Sequence, residues 1–278
     1  MEINVKRPKL DRRQSILLGL AIATAPRAAN AAGRDIVILG ATAQCAPEII
    51  KQGLAQGRKV TALARRPEAV IGNHPNLKIV KGDVRDPASL EAVLNGTEVV
   101  ISLVGPRVDP RVEIKSMDLY SLGTTNIINV MRKKANKRLI ATSSIGVRTE
   151  PKEKPTGDNI SALWLWNSRK LYADMRAMED IVRASGLEFV ILRPGFMIEA
   201  PSQPDKVKYS VEELAMPGTG PIVSFADFAA LTLAQVDGDQ YLGKAVAIFS
   251  DQTTNWGVNL DFAAMWKMRQ EQGPIDVY

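Results

Sequence analysis

The stretch "ILGATAQCAPEII", residues 38–50, carries a hydrophobic strand end into a helix start through small residues. Loops of that kind, with a helix amino terminus behind them, cradle phosphate groups. A dinucleotide loop ordinarily has three glycines: one for the tight turn, one for close approach of the pyrophosphate, and one for helix–strand packing. Only Gly40 is present, with Ala43 and Ala46 at the other two positions. The Ala43 methyl is expected to crowd the pyrophosphate and to disfavour positive φ. The backbone N–H donors and the helix field remain, so binding through Gly40, Thr42, Ala43, Gln44 and Cys45 is expected to be weakened or shifted rather than abolished. Cys45 lies where a helix terminus can lower a thiol pKa, and reads either as a reactive thiol or as a small residue filling a tight turn.

Other chemistries find little support. The single cysteine forms no internal disulfide, and the single histidine, His74 before Pro75, reads as a structural loop residue and excludes a multi-histidine metal site. No G-x-S-x-G nucleophile elbow occurs. The formal net charge is +6, but residues 1–31 hold Lys6, Arg7, Lys9, Arg12, Arg13 and Arg27 against Glu2 and Asp11, leaving little excess for the rest. No basic run interleaved with aromatics follows, so a nucleic-acid partner is not expected.

The first thirty residues read as an address. Arg12-Arg13 precede an apolar run, Ile16 to Ala25, and then Ala29-Asn30-Ala31. This is the layout of a secretory signal too short to span a membrane stably, with a twin-arginine character that fits export of a folded, cofactor-loaded protein to the periplasm. The alternatives are a basic tail or an amphipathic surface helix on a protein that stays in the cytoplasm.

The elements that must position these residues alternate. Residues 34–40, 59–65, 77–83, 98–105, 137–144, 187–195 and 243–250 read as strands. Helices are expected over 46–57, 86–96, 114–134, 168–186, 224–236 and 260–272. Residues 148–159 read as an exposed loop, and 201–221 as an extended excursion within a substrate-side segment at about 196–224. The pattern predicts an α/β fold: one Rossmann-like, doubly wound parallel sheet over residues 32–278, with a small carboxyl-terminal substrate-side region.

Six spaced stretches, "ILGATAQCA", "ALARRPE", "GDVRDPASL", "VVISLVG", "TSSIGV" and "RASGLEFVILRPG", resemble the atypical short-chain dehydrogenase/reductases of the NmrA-like, NAD(P)H-binding branch over roughly residues 34–250. The resemblance implies that Arg65 and Arg66 read the adenosine ribose. Arginine there suits a 2′-phosphate, favouring NADP with NAD as the other option. It further implies that Asp83 and Val84 contact adenine, that Leu103, Val104 and Gly105 pass beside the cofactor, and that Ser143 and Ser144 follow the fifth strand near the chemistry. Met175 stands where several such enzymes keep a lysine, and Y-x-x-x-K is absent, since Arg176 follows Tyr172 by four. Arginine does not release its proton in proteins, but it can hold a ribose or a carboxylate. Ser144 and Tyr172 are the candidate proton donors.

Two functions follow. One is an NAD(P)-dependent oxidoreductase or isomerase acting on a small apolar or aromatic carbonyl compound, with Trp164, Trp166 and Phe196 as candidate pocket aromatics. The other is a nucleotide-binding or assembly protein of the same fold with reduced turnover. Oligomeric state is left open.

Overall fold

A computed structural model describes residues 33–107, 109, 112–156, 160–212 and 222–250. The amino-terminal address and the helix expected at 260–272 lie outside the described residues. The strands are β1 (Ile36–Leu39), β2 (Val60–Ala64), β3 (Leu77–Lys81), β4 (Val99–Ser102), β5 (Arg138–Thr142), β6 (Glu188–Pro194), β7 (Phe196–Ile198), β8 (Val207–Val211), β9 (Ile222–Ser224) and β10 (Lys244–Ser250). The helices are α1 (Ala46–Ala55), α2 (Pro87–Glu91), α3 (Leu119–Lys134), α4 (Ile160–Asn167), α5 (Arg169–Arg183) and α6 (Phe225–Asp237).

Eight strands form one sheet in the order β3-β2-β1-β4-β5-β6-β10-β8, all parallel except β8, which runs antiparallel to β10. Period-two alternation builds two cores from one run of residues. In β1, Ile36 and Ile38 join the core beneath α1 and α6. Val37 and Leu39 join the core beneath α2, α3 and α5. Helices on both faces of a parallel sheet, with order reversing between β1 and β4, make the Rossmann-like architecture expected from sequence.

The structure departs from expectation in four places. Residues 207–211 are β8, not part of a free excursion. Val207, Tyr209 and Val211 alternate with Lys208 and Ser210 at a strand's period, and the β10 backbone takes up the hydrogen bonds of this run. β7 and β9 pair in parallel as a small second sheet that begins and ends the expected substrate-side segment. The apolar α4 has no helical periodicity to betray it, because it carries apolar residues on every side. α3 also starts at Leu119 rather than 114, because Asp174 of α5 caps it, its Oδ2 accepting from Tyr120 N–H at 2.8 Å and its Oδ1 from Ser121 N–H at 3.3 Å. No local pattern announces a cap donated from 54 residues away.

Candidate functional site

The carboxyl ends of β3, β2, β1, β4 and β5 lie side by side, so the loops after them share one edge. Ligands bind open α/β sheets at that edge, where strand order reverses, here between β1 and β4. Gly40 ends β1 with φ +84°. A Cβ there would lie 3.0 Å from the Leu103 carbonyl and the Val104 nitrogen, so the loops after β1 and β4 press together across the reversal. Both the backbone angle and this closeness demand glycine.

The rest of the loop differs from expectation. Ala43 is not in the left-handed region, and its methyl packs against the core under α1. Its N–H donates to the Gly40 carbonyl at 3.0 Å, and Ala46 N–H donates to the Ala43 carbonyl at 2.9 Å. Ala43 is half-buried, and the side on which its methyl meets the core is turned away from the open end of the loop. Cys45 is buried and its thiol is pushed up to about 12 by desolvation, which overturns the reactive-thiol reading. Its side chain belongs to the core, so only its backbone is left to serve a ligand. Cys45 is also the N-cap of α1, with no side-chain cap bond to the helix amino terminus. Thr42 and Gln44 are exposed at this end. The Ala46 N–H is taken by the Ala43 carbonyl and Pro47 has none, so what this end of α1 offers an anion beside Gly40 is chiefly the helix field.

After β2, Arg65 is exposed and Arg66 is half-buried at the start of a single 3-10 turn, Pro67–Ala69. After β3, the Asp83 carboxylate accepts from Arg85 N–H at 2.9 Å, and Asn126 of α3 donates to the Val84 carbonyl at 3.1 Å. Val84 is buried, its side chain part of the core beneath α3. After β4, Leu103 is buried, Val104 half-buried and Gly105 exposed. A Cβ on Gly105 would stand 3.1 Å from the Tyr120 hydroxyl.

The β5 end sorts its two serines. Ser143 is buried, and its hydroxyl donates to Glu179 of α5 at 2.7 Å. The Ser143 side chain, expected near the chemistry, points instead into the α5 layer. Ser144 is half-buried, and its Oγ accepts from Gly146 N–H at 3.1 Å, capping a 3-10 turn, Ile145–Arg148. The Tyr172 ring lies against Gly146, where any Cβ would run into it. Arg176, a candidate for ribose or carboxylate, is engaged instead. It donates to the Val147 carbonyl at 2.9 Å and reaches Thr149 O and Glu150 Oε1 at 3.4 Å each. His74 is an exposed loop residue whose Nδ1 accepts from Asn76 N–H at 3.1 Å.

A wall beyond β5 escaped the sequence reading except for its aromatics. Trp164 of α4 meets Phe196 of β7 edge to face at 5.7 Å. The Arg169 guanidinium stacks 3.9 Å over Trp166 and pairs with Glu113, holding that carboxyl below its usual range. Among the described residues, Trp166 Nε1 and the Thr142 hydroxyl are buried without a hydrogen-bond partner.

Comparison with known proteins bears on this edge. Cinnamoyl-CoA reductase 1 from Petunia hybrida is 24% identical over 218 residues, covering 71% of this chain. This chain spans only 64% of that enzyme's length. A Rossmann-fold NAD(P)-binding family protein from Shigella flexneri superposes with a TM-score of 0.58 at 26% identity, over 80% of this chain and 96% of that one. A wide-type short-chain dehydrogenase/reductase from Veillonella parvula, solved in complex with NADP, shares the fold at 18% identity and a TM-score of 0.58, over 82% of this chain and 99% of that one. Residues 40–239 match the NAD(P)H-binding family, and the chain belongs to it.

Proposed function

We propose that the protein is an NADP-dependent reductase of the atypical short-chain dehydrogenase/reductase, NmrA-like type, acting on a small apolar or aromatic carbonyl compound. The observation that carries the reading is the junction of an uncapped α1 amino terminus with Gly40, which has no room for a side chain. Thr42, Gln44 and Cys45 would offer backbone N–H groups to the pyrophosphate, with Gly40 and Ala43, whose N–H groups donate to the Leu63 and Gly40 carbonyls, shaping the turn; Arg65 and Arg66 would hold the 2′-phosphate, and Asp83 and Val84 the adenine. Leu103, Val104 and Gly105 would flank the nicotinamide half. When bound, the cofactor supplies the hydride, and the protein supplies orientation and a proton. Ser144 and Tyr172, which meet at the 3-10 turn after β5, are the groups to deliver that proton. The orphaned Trp166 N–H, in a wall of aromatics, suits an aromatic ligand bearing an oxygen acceptor. The Petunia relative's name, an aromatic acyl-CoA reductase, agrees with that class.

Calorimetric titration tests the cofactor assignment. NADPH should bind more tightly than NADH, and Arg65→Ala/Arg66→Ala should remove most of the difference, about 1–3 kcal/mol for charge-assisted contacts. Equal affinities in the parent protein would refute it. A second reading, a nucleotide-occupied binding or assembly protein, is favoured by the engaged Arg176 and by Met175 in place of lysine. Tight NADPH binding without oxidation in the presence of aromatic carbonyl compounds would select it. We further propose that residues 1–31 are a twin-arginine-type export signal and 32–278 the mature domain, delivered folded to the periplasm.

A further inference from the structure

Tyr172, Arg176 and Glu179 occupy one stripe of α5 at i, i+4 and i+7. All three meet the segment from Ser143 to Thr149 that leaves β5. Tyr172 lies on Gly146, Arg176 donates to the Val147 and Thr149 carbonyls, and Glu179 accepts from Ser143. The Glu179 carboxylate is itself held. Arg193 of β6 donates to its Oε1 through Nε at 2.9 Å and to its Oε2 through Nη2, and reaches the Glu212 carbonyl through Nη1 at 3.4 Å. Glu179 is 4% exposed and Arg193 7%. A buried ion pair gains little net stability over apolar packing of the same volume, so its presence asks for another reason.

We propose that Glu179, fixed by Arg193, is a positioning residue that shapes the nicotinamide half of the nucleotide site, a proposal that rests on the NADP reading above. By accepting the Ser143 hydroxyl hydrogen bond it commits that side chain to the α5 layer. Ser144 has extended backbone, φ −154° and ψ 152°, so its side chain projects to the opposite side. The network thereby decides which of two adjacent hydroxyls faces the sheet edge. The strand order puts β5 on the far side of the reversal from β2 and β3, where the adenosine half is read. Loss of the tether should therefore be felt by the nicotinamide half and not by the adenosine half, whereas general loosening of the fold would affect both.

The test uses Ser143→Ala, which keeps the ion pair, beside Glu179→Ala, which leaves Arg193 uncompensated and risks folding. NADPH and adenosine 2′,5′-bisphosphate are titrated into the full-length parent and each variant, and melting temperatures are recorded. Ser143→Ala should weaken NADPH about fivefold or more, one lost hydrogen bond to a charged group. Bisphosphate affinity should stay within about twofold of the parent on the same reasoning. Equal losses for both ligands, or no loss for NADPH, would overturn the proposal. A parent that binds neither ligand overturns the nucleotide reading and this proposal with it; a parent that binds both, with Ser143→Ala unchanged, overturns the proposal alone.

Discussion

At position 43 the methyl group packs beneath α1, and the backbone around it is ordinary. The NADP reading then expects the loop to replace the second glycine of a dinucleotide turn without crowding the pyrophosphate. The consequence is measurable. Ala43→Gly should leave NADPH affinity unchanged and lower stability by about 0.5–1 kcal/mol, because glycine loses more backbone freedom on folding and contributes no methyl to the core. Isothermal titration and thermal melting read the two effects separately. NADPH binding tightened more than about threefold would mean the methyl faces the ligand after all. Gly40 is the opposite case, since left-handed backbone and a neighbouring chain at 3.0 Å exclude every other residue. Cys45 shows burial overruling its place at a helix start: desolvation raises the thiol more than a backbone hydrogen bond lowers it.

Elements are joined by buried arginines away from the site. Arg58, ahead of β2, donates to Asp237 at the end of α6 at 2.5 Å and to the Arg34 carbonyl at 2.8 Å. Arg138, at the start of β5, donates to the Gly238 carbonyl at 2.8 Å and to Asp239 at 2.6 Å just past α6, where cations complement the helix dipole. Burial opposes ionisation of Asp237, but the Arg58 guanidinium and Arg34 outweigh it and hold the carboxyl below its usual value. A depressed carboxylate contributes stability above its unfolded-state pKa, about 3.9, and loses it as pH falls through the lower folded value. Asp237→Asn should therefore flatten the decline of melting temperature below about pH 4. At neutral pH it should cost about 1–3 kcal/mol, because buried Arg58 loses its counter-ion at a partly exposed site. Parallel melting profiles for parent and variant across that range would rule out the pair as a source of acid sensitivity.

For the whole molecule, the described domain begins its first strand at Ile36, a few residues past the small-residue stretch Ala29-Asn30-Ala31. A cut near Ala32 would leave every strand and helix described above intact. Amino-terminal sequencing of protein recovered from the periplasm of a twin-arginine-competent host should start near Ala32, and the cut form should bind NADPH as the full-length chain does. Recovery of only the intact Met1 form, in the cytoplasm, would refute export. Among the described residues no helix is long and apolar enough to cross a membrane.

Strands β1, β2, β4, β5, β6 and β10 were legible because both faces of a parallel sheet are covered, and their residues form nearly unbroken apolar runs. The glycine turn after β1 and the arginines after β2 were legible for the same local reason: a turn or a charge at a strand end is written in adjacent residues. What joins distant residues was not. β8 alternates apolar and polar residues, but its place antiparallel to β10 is set by the closed fold, and α3 begins where Asp174 reaches it from α5. Which way Ala43, Cys45 and Ser143 point was likewise decided by tertiary packing. Residue type sets what a side chain can do. Whether it meets a ligand or the core depends on which partners the closed fold brings to it, as Ser143 meets Glu179.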